Sequence, residues 1–266
     1  MQTENTFTLV TGATSGIGYE LAKLFGSMGH NLIIVARSAE DLEKKQRELS
    51  TLNVDVIPIP KDLFEPNAAF ELHQEIKSRG LDVDVLINDA GQGQYGLFIE
   101  NDVNRYLQLI QLNIASLTIL THLFLKDMVA KDNGKILQLA SIASETPGPY
   151  QAVYHATKAY VLSLTEALIN EVKDTHVTIT ALQPGVTDTD FFKKADMLES
   201  KAVQDKTKMA DPAKVAKDGY DALMAGKDKV VSGAQNKIRT AVGNLVPETT
   251  LANMVEKEQE PVSKNK

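Results

Sequence analysis

Thr11-Gly12-Ala13-Thr14-Ser15-Gly16-Ile17-Gly18 follows the apolar stretch Phe7-Thr8-Leu9-Val10 and leads directly into the amphipathic stretch from Tyr19 to Met28. A strand, a glycine turn and a helix N-terminus in that order make an anion site. Backbone N–H groups and the helix dipole face the anion, and glycine lets the backbone approach it. The spacing is G-xxx-G-x-G, not the G-x-G-x-x-G of the commonest dinucleotide fingerprint. No Gly-Lys-Ser/Thr follows, so the turn is not a P-loop. A pyrophosphate is the expected anion.

The pattern repeats outward from this turn. Asn31 to Ala36 (NLIIVA) reads as a buried strand, followed by a charged helix from about Glu40 to Leu49. Further strands are expected at Val54 to Ile59, Val83 to Ile87, Lys135 to Leu139 and Val177 to Leu182. Helices are expected at about Asn67 to Lys77, Val103 to Val129 and Tyr150 to Val172. Continuous Val/Ile/Leu strands alternating with helices indicate a parallel sheet covered on both faces. The fold class is therefore α/β, a doubly wound, Rossmann-like sheet. No linker or repeat divides the chain, so residues 1–255 are read as a single dinucleotide-binding catalytic domain. Glu256 to Lys266 holds one aliphatic residue, Val262, and is expected to fray.

Composition narrows the function. The chain has 266 residues, 43% hydrophobic and 24% charged, with a net charge of -7. The acidic balance argues against nucleic-acid and anionic-membrane partners, which call for clustered Lys/Arg. With no cysteine, disulfides, thiolate metal sites and cysteine nucleophiles are excluded. The start, Met1 to Asn5, lacks a signal peptide's basic and apolar regions. A cytoplasmic protein is expected. Tyr106 to Leu125 carries no Asp, Glu, Lys or Arg and is long enough to span a bilayer. Its Gln108, Gln111, Asn113 and His122 favour a helix buried in protein instead. His73 and His122 lack partners at metal spacing, so no metal is assigned.

The end of the second strand bears on which dinucleotide binds. An acid there suits the ribose 2′-OH of NAD, and a nearby Arg suits the 2′-phosphate of NADP. Here the chain reads Val35-Ala36-Arg37-Ser38, with no acid before Glu40. Arg37 offers a fork of donors to a phosphate; the alternative is a solvated loop residue.

Tyr154 and Lys158, at i and i+4, share one helix face. Such a Tyr can pass a proton to a carbonyl oxygen while a hydride reaches the carbon. Tyr19 and Lys23 have the same spacing, so spacing alone does not identify the pair. Ser141 after the fifth strand, Asn113 in the uncharged helix, Asn88-Asp89-Ala90-Gly91 and Pro184-Gly185-Val186-Thr187-Asp188-Thr189 all lie at strand carboxyl ends or on the elements that follow. Open α/β sheets bind ligands there.

Together these motifs resemble the short-chain dehydrogenase/reductase family in its single-domain form, over roughly residues 5 to 232. The resemblance implies that Gly12, Thr14, Ser15, Gly16, Ile17 and Gly18 form the cofactor turn. Asp62 and Leu63 would meet the adenine, with Asn88, Ala90 and Gly91 on the adenosine side. Pro184, Gly185, Thr187 and Thr189 would bind the carboxamide end. Ser141, Tyr154, Lys158 and Asn113 resemble the catalytic four, Tyr154 and Lys158 also touching the cofactor. In that scheme Ser141 bonds the substrate oxygen and Tyr154 donates the proton. Lys158 holds the nicotinamide ribose and lowers the Tyr154 pKa, and Asn113 holds a relay water. Asp89 departs from the family's usual second Asn, and an ionised Asp accepts hydrogen bonds without donating.

The expected activity is that of an NADP-dependent oxidoreductase on a small-molecule carbonyl/alcohol pair, a ketone or aldehyde reductase. The alternatives are an NAD-dependent alcohol dehydrogenase of the same family and a catalytically silent dinucleotide-binding regulator. Family resemblance also implies a homodimer or homotetramer, built on the uncharged helix and the helix around Val161 to Ile169. Asp188 to Ala210 mixes Phe191, Phe192, Met197 and Leu198 with five lysines and five acids. A segment of that length is expected to act as a lid.

Overall fold

A computed structural model of the chain describes residues 6–243 and 246–262. The expectations for Met1 to Asn5 and for residues 263–266 lie outside the described residues. Seven strands form one parallel sheet: β1 (Thr6–Thr11), β2 (Asn31–Ala36), β3 (Val56–Pro60), β4 (Asp82–Asn88), β5 (Gly134–Leu139), β6 (Val177–Gln183) and β7 (Lys229–Val231). Their order is β3-β2-β1-β4-β5-β6-β7. The main connecting helices are α1 (Gly16–Ser27), α2 (Ala39–Ser50), α3 (Ala68–Ser78), α4 (Val103–Ile110), α5 (Leu117–Ala130), α6 (Ala152–Glu171) and, after the short α7 (Phe191–Lys194), α8 (Pro212–Met224).

Side chains of a strand alternate between the two faces of its sheet, and the core divides accordingly. Phe7, Leu9, Ile33 and Val35 point to one face, where Leu72 and Ile76 of α3 and Leu120, Phe124 and Met128 of α5 cover them. Val10, Leu32 and Ile34 point to the other, under Leu21 and Phe25 of α1, Leu42 of α2 and Val215 and Leu223 of α8. Burial on both faces is why the strands read as unbroken apolar runs.

The topology places the site. Thr11 at the end of β1 pairs with Val35 on one side and Asn88 on the other. Strand order reverses between β1 and β4, and the carboxyl ends there open a crevice. The glycine turn leaves β1 at this point.

Four features differ from the sequence reading. The expected helix from Val103 to Val129 runs to Ala130, but its middle, Gln111–Ser116, is a π-helical turn. Only 44% of its most apolar window is buried. Leu112, Leu120 and Phe124 face the core, while Val103, Leu107 and Ile110 are exposed. Strand β7 has no signature in the sequence, because three residues cannot show an alternation. Two C-terminal helices, α9 (Ala234–Gly243) and α10 (Glu248–Gln259), follow it. Residues 256–262, expected to fray, are held in place. Glu256 to Gln259 end α10, the Lys201 N–H donates to the Glu260 carbonyl at 3.1 Å, and the Val262 N–H donates to Glu199 at 2.9 Å. Backbone pairing anchors this tail, and side-chain composition does not register it.

Candidate active site

The glycine turn owes its shape to its neighbours. Gly12 and Gly16 hold φ of +74° and +60°, a region costly for residues with a Cβ. A Cβ on Gly16 would lie 3.1 Å from Thr189 Cγ2, so Thr189 closes over the turn from the β6 side. A Cβ on Gly18 would run into the Asp89 carboxylate and the Gly12 carbonyl. The Thr11 hydroxyl accepts the N–H groups of Asp89 and Ala90, each at 3.1 Å, tying β1 to β4. Tight backbone, open N–H groups and a helix start fit the pyrophosphate of a dinucleotide.

A cleft of about 410 Å³ extends from this turn. One end is walled by Thr14, Ser15, Ile17, Arg37, Asp62 and Leu63, with Ala90 and Gly91 at its floor. Arg37 is exposed, and its guanidinium lies 5.0 Å from the centre of the Phe64 ring. Asp62 Oδ1 accepts the Phe64 N–H at 3.1 Å, holding that ring in place. The other end is walled by Ser141, Tyr154, Lys158, Pro184, Gly185, Thr187 and Thr189.

Three expected residues do not line the cleft. Gly18 serves the turn from behind. Asn88 gives its amide N–H groups to Thr121 at 3.0 Å and Gln138 at 3.1 Å, so it braces β4 against α5 and β5. Asn113, in the π-helical turn, accepts the Gln92 N–H at 3.1 Å and donates to the Gln92 carbonyl at 2.8 Å and to Thr157 at 3.0 Å. Its amide is thus committed to protein partners, and it positions the strand-end loop beside Gly91.

The proposed chemical groups converge at the end of β5. Ser141 caps a short turn, accepting the Ala143 N–H at 3.1 Å. The Ser144 hydroxyl donates to the Lys158 carbonyl at 2.9 Å, fastening α6 to that turn. Lys158 Nζ is buried and donates to the Leu139 carbonyl at 2.6 Å. Burial pulls its pKa down to about 8, against the opposing pull of Asp89. Burial pushes the Tyr154 phenol up to about 12, while the neighbouring Ser141 hydroxyl works the other way. The expected lowering of the Tyr154 pKa by Lys158 is therefore not what the structure gives. The ammonium lies 5.9 Å from the Tyr154 ring centre and is turned toward Leu139.

Tyr19 separates cleanly from Tyr154. Its hydroxyl donates to Glu48 at 2.7 Å on the surface, and Lys23 pairs with Glu20 at 3.9 Å. His155, buried, bonds the Thr146 carbonyl at 2.8 Å through Nδ1. No metal-binding cluster occurs among the described residues.

The structure adds Lys194, Val255, Glu258 and Gln259 to the residues that sequence reading singled out, and it seats Phe191 and Met197 of the 188–210 segment in the cleft wall. Lys194 of α7 reaches Ser15 in the glycine turn at 3.5 Å, and only one of five lysines in its segment does so. Phe191 packs 5.1 Å from the Tyr154 ring, and Met197 and Val255 join the same wall. Val255, Glu258 and Gln259 reach the cleft from α10, where no local motif signals a site. The base of the 188–210 segment is closed by the Asp188 N–H to the Ala210 carbonyl at 3.0 Å.

Comparison with known proteins agrees with this geometry. Residues 6–199 match the family model described as short chain dehydrogenase. The chain is 29% identical to 7beta-hydroxysteroid dehydrogenase of Clostridium sardiniense over 244 residues, 91% of each chain. It superimposes on a short-chain dehydrogenase from Sphingobium yanoikuyae in complex with NADPH with a TM-score of 0.81, 24% identity and coverage of 98% and 99%. An alcohol dehydrogenase from Thermococcus sibiricus, complexed with 5-hydroxy-NADP, is 25% identical with a TM-score of 0.74, covering 85% of this chain and 95% of its own. A parallel sheet that opens at β1 and β4, a glycine turn in that opening and a match across most of the sheet lead to one conclusion: the chain belongs to the short-chain dehydrogenase/reductase family, oxidoreductases that use a nicotinamide dinucleotide.

Proposed function

We propose that the protein is an NADP-dependent reductase of ketones or aldehydes, with Ser141, Tyr154, Lys158 and Asn113 as its working set. The observation that carries this reading is the meeting of Tyr154, Ser141 and buried Lys158 on one wall of the cleft that begins at the glycine turn. The dinucleotide supplies the hydride. Tyr154, protonated far above neutral pH, gives its proton to the carbonyl oxygen, and Ser141 bonds the same oxygen. Lys158, whose ammonium is turned toward Leu139 at the end of β5, holds the nicotinamide ribose in this reading. Asn113 holds Gln92 and, through it, the loop beside Gly91.

Arg37 supports NADP over NAD, since it lies exposed at the cleft end with no acid on the β2 terminus. The two structural neighbours complexed with NADPH and 5-hydroxy-NADP support the same choice. Phe191, Phe192, Met197 and Val255 favour a bulky apolar carbonyl compound, in keeping with a relative named for a hydroxysteroid. Exposed Val103, Leu107 and Ile110 on α4, with Tyr160 on α6, support a homodimer or homotetramer. The direct test is NADPH oxidation followed by absorbance against a panel of ketones and aldehydes. Turnover with bulky apolar members is expected, and no turnover with any carbonyl compound refutes the proposal.

A further inference from the structure

Asp89 puts a carboxyl group where the fold prepares a place for an anion. Its Oδ2 lies 2.8 Å from where a Cβ on Gly12 would sit and closer still to one on Gly18. It faces Gly18 in the first turn of α1, whose N–H draws its pKa down against the effect of burial. That donor belongs to the set that a helix N-terminus offers to a phosphate. The other oxygen, Oδ1, is buried and has no hydrogen-bond partner. The charged groups that face Asp89 are Lys158 of α6 and Lys194 of α7, and the Tyr154 phenol is the neutral titratable neighbour. Thr11 of β1 meets only its backbone N–H. Neither lysine bonds the carboxylate directly: Lys158 Nζ is turned toward the Leu139 carbonyl and Lys194 toward Ser15.

A pyrophosphate at this turn brings two further negative charges beside that carboxylate. The added negative charge raises the Asp89 pKa further, against the pull of Lys158 and Lys194. Protonation resolves the conflict, and the new O–H gives the carboxyl group a donor.

We propose that Asp89 is a positioning residue that must carry a proton for the turn to hold a dinucleotide, so that cofactor binding takes up a proton. This rests on the reading that the cleft binds a nicotinamide dinucleotide. Burial already holds the Asp89 pKa well above the ordinary carboxylate range, at about 7, despite the opposing pull of Lys158. Below that pH the protein is ready to bind. Above it, binding must first protonate Asp89, and affinity falls by up to about tenfold per pH unit.

The test is NADPH and NADH binding to the purified full chain between pH 6 and 9, with infrared difference spectra recorded on adding NADPH at pH 8. Wild type should weaken steadily above pH 7 and gain the C=O stretch of a protonated carboxylic acid. Labelling with ¹³C-aspartate should shift that band, which identifies an aspartic acid without any variant. Asp89→Asn, which donates through its amide at every pH, should bind more tightly at pH 8, lose the band and show a flatter pH profile. Only the dependence due to Lys158 should remain. Binding with no gained carboxylic acid band overturns this proposal alone, as does the same band in Asp89→Asn. Failure of both dinucleotides to bind at pH 6 overturns the dinucleotide reading and this proposal with it.

Discussion

Replacing Tyr154 with phenylalanine removes one oxygen from the cleft wall and leaves the ring, with its contact to Phe191, in place. The cost to folding is the loss of one polar contact near Ser141, at most about 1 kcal/mol. The cost to catalysis is larger if this phenol is the proton donor. General acid catalysis contributes about 10²–10⁴-fold, or about 2.7–5.5 kcal/mol of barrier. Turnover of any accepted ketone should fall by that factor while NADPH affinity changes little, which marks an interaction made in the transition state. The pH profile offers a second check. With the phenol held up to about 12, the acid needed for reduction is present throughout the neutral range. Lys158 loses its charge as pH rises through about 8. At saturating NADPH, reductive kcat/KM for the ketone should therefore be level below pH 8 and decline above it. Tyr19→Phe is the matched control. It removes only the surface bond to Glu48 and should keep turnover within about a few-fold of wild type. Stopped assays with both variants beside wild type decide the matter. Near-normal turnover in Tyr154→Phe refutes the assignment, whatever the remaining motifs suggest.

Three other outcomes are expected. Arg37→Ala should weaken NADPH binding by roughly tenfold, the lower end of what losing a charged hydrogen-bond partner costs, and leave NADH unchanged by calorimetry. Equal losses for the two dinucleotides would mean that Arg37 does not read the 2′-phosphate. Backbone hydrogen exchange across 188–210 should slow when NADPH and an apolar ketone are both present, because a cover that excludes water must open to admit them; unchanged exchange removes the lid role. Sedimentation at micromolar concentration should give a dimer or tetramer, and Leu107→Glu on the exposed stripe of α4 should shift it toward monomer, whereas a monomeric wild type contradicts the assembly.

Most of the sheet was legible because each strand solves the same local problem. Asn31 to Ala36 must bury both faces, so it shows an apolar run bounded by polar residues, and its bounds match the structure. Tyr154, Ser141 and Lys158 were legible as a set, because strand ends and the helix after them share one edge of a parallel sheet. What stayed hidden is tertiary. Asn113 looked like one polar group in a helix, and only its bonds to Gln92 and Thr157 show what the π-helical turn holds. Asn88 carried a motif that suggested cofactor contact, yet its amide faces Thr121 and Gln138, away from the cleft. The α10 residues Val255 and Gln259 enter the cleft wall because their helix folds back more than a hundred residues in sequence onto Tyr95 and His155. No periodicity records such a return.

Asp89 lies between these cases. A strand-end Asp in place of Asn was visible as a departure, but its meaning depends on distances to Gly12 and Gly18 that arise only when β1 and β4 lie side by side. One added negative charge in a loop is ordinary. The same charge against a turn of glycines that offers its N–H groups to an anion sets two demands on one donor. That conflict gives this member of the family a proton-dependent step that an asparagine would not produce, since an amide supplies both acceptor and donor at every pH.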